Sequence, residues 1–150
     1  MTNNEVIAAL DRLAATCQRG RDKFRDAAEN IQNSEFRRLF NIFSQQRVQF
    51  ITELTSEVHR LRGEGGSEFG DTGELPGNTV PFKRPAVTKS PMRDQAGIIA
   101  ECRREEEATL HDYQELLKAD LPLDVQYVVK RQYMDIKDAY DRIRILQRAA

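Results

Sequence analysis

The sequence predicts an all-α protein, an antiparallel four-helix bundle made of two helical hairpins. Four segments repeat apolar residues at the spacing of three and four that marks an amphipathic helix. Two pairs of these segments are joined by only two or three residues, which makes the joined helices antiparallel neighbours. No segment alternates with period two, so we predict no strand. The helices span about residues 4–31, 35–62, 93–118 and 122–147 of a single 150-residue domain.

The first predicted hairpin joins its helices through Asn33 and Ser34. We expect Asn3 or Asn4 to cap the first helix and Ser34 to cap the second, since short polar side chains accept backbone hydrogen bonds there. Gly63 is a usual C-terminal signal for the second helix. The stripe of the first helix is Val6, Leu10, Leu13, Cys17, Gly20, Phe24, Ala28 and Ile31. The stripe of the second is Phe36, Phe40, Phe43, Arg47, Phe50, Leu54, Val58 and Leu61.

The second predicted hairpin turns at residues 119–121. Pro122 suits the first turn of the last helix, and Asp124 suits the positive end of its dipole. The stripe of the third helix is Ile98, Ile99, Cys102, Glu106, Thr109, Leu110, Tyr113, Leu116 and Leu117. The stripe of the fourth is Val125, Val128, Val129, Gln132, Ile136, Tyr140, Ile143 and Leu146.

An irregular linker, residues 63–92, connects the two hairpins and holds most of the glycines and prolines of the chain. Thirty extended residues reach about 100 Å, and a 27-residue helix is about 40 Å long. The linker can therefore cross the bundle, as in ferritin-like folds, or loop at one end. Its segment Gly66-Ser67-Glu68-Phe69 also resembles an engineered junction.

Composition narrows the functional classes. The formal net charge is −1, which argues against a dedicated binder of nucleic acid or anionic membranes. No apolar run is long enough to span a bilayer, and the N-terminus lacks the features of a secretory signal, so we expect a cytoplasmic protein. Cys17 and Cys102 lie on apolar stripes, which favours core packing in a reducing compartment over a disulfide or redox pair.

Each stripe is interrupted near its middle by a small or polar residue: Gly20, Arg47, Glu106 and Gln132. These positions fall at similar heights along the four helices, so the sequence predicts one polar layer across the bundle centre. Because a lone buried charge is unfavourable, we expect Arg47 and Glu106 to pair and Gln132 to satisfy their remaining atoms. Gly20 leaves room for the arginine.

The polar layer has two interpretations, a structural one and a metal site. Ferritin-like di-iron bundles carry a Glu on two helices and Glu-x-x-His on the other two. That pattern is missing here, which leaves Glu106, Asp135 and Asp22 as weak metal candidates for iron, manganese or zinc. We therefore expect no cofactor and a layer that fixes helix register. His59 and His111 are expected to be exposed bystanders.

Short pieces along all four predicted helices carry a family resemblance: Gly20-x-x-x-Phe24-Arg25-x-Ala27-Ala28-Glu29, Arg47-x-x-Phe50-x-x-Glu53-Leu54, Arg62-Gly63-Glu64, Glu101-Cys102-x-Arg104-x-Glu106 with Tyr113, Asp120-Leu121-Pro122 with Val125, Val129 and Gln132, and Asp141-Arg142-Ile143-Arg144. Together they resemble a family of small bacterial ferritin-like four-helix-bundle proteins catalogued as a domain of unknown function. The resemblance implies the fold and, by analogy, a stress-associated role. In the family pattern, acidic residues commonly stand at Arg19 and Arg21, and often a histidine at Tyr140. These departures remove potential metal ligands.

The sequence shows no catalytic constellation, so we predict a non-enzymatic bundle that acts through protein contacts. A homodimer is one form of such contact, and Phe43, Val48 and Ile51, which flank the main stripe of the second helix, are expected to broaden it into a second packing surface. A ferritin-like metal-binding protein or weak oxidase is the first alternative. An adaptor that docks a partner through linker 63–92 is the second.

Overall fold

The computed structural model describes residues 1–63 and 94–149. Within these residues the regular structure is four helices: α1 (Asn3–Asn30), α2 (Ser34–Gly63), α3 (Gln95–Leu117) and α4 (Leu123–Ala149). The all-α prediction is therefore confirmed, and the predicted bounds differ from the observed ones by at most two residues. Apart from Gly63, the predicted linker 63–92 and its junction-like segment lie outside the described residues.

The cap of α1 differs from the prediction. Thr2 is the N-cap, and the Glu5 backbone N–H donates to its hydroxyl at 3.1 Å. In return the Thr2 backbone N–H donates to the Glu5 carboxylate at 2.8 Å, which completes a capping box. The expectation of a cap at Asn3 or Asn4 is wrong because only Thr2 has a glutamate three residues ahead.

The starts of α2 and α4 also shift by one residue. The Asn33 side chain accepts from two backbone N–H groups at the start of α2, at 2.8 and 3.1 Å, so Asn33 is the cap and Ser34 is the first helical residue. Pro122 precedes α4, and its carbonyl accepts from the Gln126 N–H at 2.8 Å. Both predicted placements are therefore off by one position.

Contacts along α1 and α2 show that these helices run antiparallel. The Asn3 side chain at the start of α1 donates to the Leu61 carbonyl near the end of α2. Further along, the Ser44 hydroxyl donates to the Arg21 carbonyl at 3.0 Å. The short 31–33 turn thus produces the hairpin that the sequence predicts.

The third helix is antiparallel to α1 as well. The Thr16 hydroxyl donates to Asp112 at 2.9 Å, whereas Lys23, further along α1, faces Glu101, earlier along α3, at 3.8 Å. Because α2 and α3 both oppose α1, they are parallel to each other and lie diagonally across the bundle. The end of α2 and the start of α3 are consequently at opposite ends of the bundle, which is the ferritin-like connectivity.

The core consists of two apolar clusters. The aliphatic cluster surrounds the start of α1 and comprises Val6, Ile7, Leu10, Leu13, Cys17, Phe50, Leu54, Val58, Tyr113, Leu121, Val125, Val129 and Ile136. The phenylalanine cluster surrounds the end of α1 and comprises Phe24, Ala27, Ala28, Ile31, Phe36, Phe40, Phe43, Ile98, Ile99, Cys102, Ala139 and Ile143. Each helix turns one apolar face inward, and none of those described has the length and apolarity that a membrane span requires.

Candidate functional site

A fully buried ion pair lies between the two clusters. Arg47 on α2 reaches across the bundle diagonal to Glu106 on α3, and both side chains have no solvent exposure. Arg47 Nη1 donates to Glu106 Oε1 at 2.8 Å, and Nη2 donates to Oε2. This two-point geometry is the strongest that an arginine and a carboxylate can form. The predicted pairing of these two residues is confirmed.

The surroundings of Arg47 explain how a guanidinium is tolerated there. Its Nε donates to Gln46 at 3.3 Å, and its head lies 5.1 Å from the centre of the Phe24 ring. A Cβ on Gly20 would come within 3.1 Å of Arg47 Nη1, so glycine provides the space, as predicted. Burial would lower the pKa of Arg47, but the charge and hydrogen bonds of Glu106 outweigh it and raise that pKa.

The fourth predicted member of the layer, Gln132, serves different partners from those expected. Its Oε1 accepts from the Tyr113 hydroxyl at 2.7 Å, and its Nε2 donates to the Phe50 carbonyl at 3.3 Å and to Glu53 at 2.8 Å. The Tyr113 hydroxyl also lies 3.2 Å from Cys17 Sγ. Gln132 therefore completes a second tier on the aliphatic side, which we call the neutral tier because its fully buried members, Cys17, Tyr113 and Gln132, carry no charge. It does not complete the ion pair.

Burial controls the chemistry of this neutral tier. Desolvation raises the pKa of the Cys17 thiol to about 11, although its bond to Tyr113 opposes this. Desolvation, with the adjacent thiol, also raises the pKa of Tyr113 well above its ordinary value. Both groups stay protonated near neutral pH, so Cys17 is neither nucleophile nor thiolate ligand there. Cys102 is also buried, and both cysteines are thiols of the core, as core packing predicts.

The metal candidates do not converge. Glu106 is bound by Arg47, Asp22 is bound by Arg21 Nε at 2.9 Å and is only half-buried, and Asp135 is exposed on α4. Among residues 1–63 and 94–149, no three His, Cys, Asp or Glu side chains are grouped closely enough to hold a metal ion. A cation between the helices also repels metal. This donor set does not fit the carboxylate–histidine centre of di-iron bundles.

Arg19 and Tyr140, two of the positions at which the sequence departs from the resemblance, make surface contacts. Arg19 lies near Glu105 and Asp112, with N–O separations of 3.9 and 3.8 Å. The Tyr140 hydroxyl donates to Glu107 at 2.7 Å, and this bond raises the pKa of Tyr140. The two histidines, His59 and His111, are exposed as expected.

Sequence reasoning missed three members of the layer: Cys17, Tyr113 and Glu53. A hydroxyl on an apolar stripe needs a partner once it is buried, so Tyr113 itself was a signal for the neutral tier. Glu53 is not part of the apolar periodicity of α2, because it lies beside the buried face of that helix and is only partly buried. Partial burial would raise its pKa, but hydrogen bonds from Gln132, Gln49 and Arg131 together lower it.

The outer surface also differs from the prediction. Phe43 is buried and Ile51 packs against the aliphatic cluster, so of the three expected residues only Val48 is exposed. Ile42 is the other large exposed apolar residue of α2. The expectation is wrong because the phenylalanines of α1 and α2 pack on one another, with Phe24 lying 5.9 Å from Phe40 between ring centres. The large exposed apolar side chains concentrate instead on α4, namely Leu123, Tyr127, Met134 and Ile145.

The helix directions and the single long connection define the class of the protein, a ferritin-like four-helix bundle. Residues 5–119 match the model of a family described as Domain of unknown function (DUF2383). Because the match extends over more than half of the chain, this protein belongs to that family, and the predicted family resemblance is confirmed.

A solved structure supports the same fold class. The chain is similar to a two-domain protein from Anabaena variabilis that contains DJ-1/ThiJ/PfpI-like and ferritin-like domains, with a TM-score of 0.81 and 17% identity. The likeness covers 99% of this chain and 40% of that protein. At this identity it shows the fold alone, which confirms the predicted ferritin-like bundle. No curated protein matches the sequence.

Proposed function

We propose that this protein is a non-enzymatic bundle that acts through contacts with other proteins, and that its buried centre holds the fold. The proposal rests on one observation: the buried polar groups of that centre already have hydrogen-bond partners within the protein. Every hydrogen-bonding atom of Arg47, Glu106, Tyr113 and Gln132 that lies buried has a partner within the protein. A reaction centre needs groups that are free to meet a substrate, and these groups meet one another.

The charge at the centre supports the same proposal. Arg47 places a permanent cation where a ferritin-like metal centre would need negative or neutral ligands. Its one buried carboxylate partner, Glu106, already uses both oxygens. A metal would have to displace the guanidinium, which would leave that cation buried and unpaired.

The outer surface supports protein contact. Leu123, Tyr127, Met134 and Ile145 are exposed on one helix, α4, and large apolar side chains grouped in this way mark interaction surfaces. The adaptor alternative depends on linker 63–92, of which only Gly63 is described, and stays a prediction, as do the stress-associated role and the cytoplasmic location.

Metal content and thermal stability test the proposal together. We would purify the full chain without added metal, measure bound metals by mass spectrometry, and record thermal melts before and after a chelator. We expect no stoichiometric metal and an unchanged Tm. One or two iron, manganese or zinc ions per chain, together with a lower Tm after chelation, would overturn the proposal in favour of a metal-binding protein.

A further inference from the structure

Between Leu123 and Ile145 the outward face of α4 carries a stripe of seven exposed residues, which we call the α4 stripe: Leu123, Tyr127, Lys130, Met134, Asp138, Asp141 and Ile145. At 3.6 residues per turn these positions fall within an arc of about 80°. Exposed Arg148 follows on the same face, beyond this stripe. The buried residues of α4 lie on the opposite side of the helix. The stripe is thus a second, outward face on a helix that already packs into the core.

The apolar members of the stripe are strongly exposed. Leu123 is 80% exposed, Tyr127 68%, Met134 58% and Ile145 59%. Single exposed apolar residues are normal, but four on one face of one helix, with Lys130, Asp138 and Asp141 between them, form a mixed apolar and charged surface. Since α4 occupies a corner of the four-helix square, next to α2 and α3, none of the other three described helices covers its outward face.

The order of the stripe is symmetric about Met134. Its spacings are 4, 3, 4, 4, 3 and 4 residues in either direction. Leu123 and Ile145 stand eleven residues before and after Met134, and Lys130 and Asp138 stand four before and after. Tyr127 and Asp141 occupy the positions seven residues away. A sequence with this symmetry matches itself when one copy is turned end over end.

We propose that the α4 stripe is a self-complementary interface on which a second copy of this chain docks, antiparallel, around a two-fold axis at Met134. In that pairing Leu123 meets Ile145 of the other copy, and Lys130 meets Asp138. Tyr127 meets Asp141, whose carboxylate accepts from the phenol. The proposal rests on the proposed function and specifies its partner.

The charge pattern selects this arrangement over a parallel one. An isologous dimer forms every contact twice, so antiparallel docking gives two Lys130–Asp138 pairs. Parallel docking would bring each charged residue against its own copy, and like charges in contact oppose association. Within one chain Asp138 contacts Arg142 at 3.2 Å, but this exposed pair is weak and can be exchanged. Leu123, Met134 and Ile145 repeat at intervals of eleven residues. This interval keeps them on the same face of a nearly straight helix.

Sedimentation of the full chain with charge-reversal variants tests the interface. We expect the mass to rise from 17.3 kDa toward twice that value between about 1 μM and 1 mM. Lys130→Asp and Asp138→Lys should each weaken association by about tenfold or more. An equimolar mixture of the two variants should recover a dimer, because each supplies the charge that the other lost.

Matched controls reverse the same charges at exposed positions off the stripe. Lys118→Asp and Asp11→Lys should leave the dimer constant unchanged. A cysteine test needs no charge change: Met134→Cys should form a disulfide-linked dimer under mild oxidation, since the two-fold axis brings both copies of position 134 together. Leu123→Cys should not link to itself, because antiparallel docking separates its two copies by about 33 Å.

Three outcomes would overturn the inference. A monomer at every concentration would do so, whether another protein or residues 64–93 of the same chain cover the stripe. So would a dimer that ignores both charge reversals, or a Leu123→Cys variant that links as readily as Met134→Cys. None of these outcomes restores a metal centre, so the proposed function fails only on the metal and melting measurements.

Discussion

The two tiers of the buried layer satisfy polar groups in different ways. The charged tier joins α2 to α3 through one ion pair, Arg47–Glu106, and contacts α1 at Gly20. The neutral tier links all four helices through hydrogen bonds centred on Tyr113 and Gln132. Both are buried, but removing one partner strands a full charge in the first and only a dipole in the second. The same depth of burial should therefore produce unequal losses of stability.

The largest expected effect comes from breaking the charged tier. Glu106→Leu leaves Arg47 buried without a counter-ion and should lower the free energy of unfolding by about 3–5 kcal/mol. Glu106→Gln retains an acceptor oxygen and should cost about 1–3 kcal/mol. Urea unfolding followed by circular dichroism measures both.

The control for this prediction removes both charges at once. Arg47→Met combined with Glu106→Leu should recover most of the stability, because an apolar pair of similar volume carries no desolvation penalty. A loss below a few tenths of a kcal/mol in the single variants would mean that water reaches Arg47 and that the layer is not dry.

The next effect is a pH dependence of the neutral tier. The pKa of Cys17 is raised from 9.0 to about 11, so the folded state binds the thiol proton more tightly than the unfolded state does. This contribution to stability is fully present below pH 9. As pH rises from 9 to 11 the unfolded thiol ionises first, and stability falls by roughly 2 kcal/mol. Stability curves of the wild type and Cys17→Ala should converge or cross in this window. Parallel curves would contradict a buried, protonated thiol.

A smaller effect is expected from the phenol. Tyr113→Phe removes the donor to Gln132 and should cost about 1–2 kcal/mol by urea unfolding. Tyr133→Phe is the matched control, because its hydroxyl accepts from Gln114 at an exposed position and its loss should be within about 0.5 kcal/mol. If both variants lost the same free energy of unfolding, the buried hydroxyl of Tyr113 would contribute no more to stability than an exposed one.

The sequence predicts the bundle well because helical periodicity reports burial directly. It also predicts the Arg47–Glu106 pair, since two opposite charges on facing apolar stripes have no other stable arrangement. It does not predict the partners of Gln132. The Tyr113 side chain is long enough to bring its hydroxyl to Gln132, and the spacing of residues in the sequence does not show how far a side chain reaches. Nor does it predict the α4 stripe, since Leu123, Tyr127, Met134 and Ile145 read as flanks of a core helix until the inward face is assigned.

The smallest effect sharpens the comparison most, because its sign depends on the charged tier. Gly20→Ala gains about 1 kcal/mol of helix propensity, but its Cβ would stand 3.1 Å from Arg47 Nη1. Since Glu106 Oε1 holds that nitrogen at 2.8 Å and Oε2 holds Nη2 of the same guanidinium, we expect a net loss below about 1 kcal/mol. In the background of Arg47→Met with Glu106→Leu, the same change should become a gain of about 0.5–1 kcal/mol. Urea unfolding of the four chains forms a double-mutant cycle that measures this coupling. The same effect in both backgrounds would show that Gly20 does not make room for the arginine.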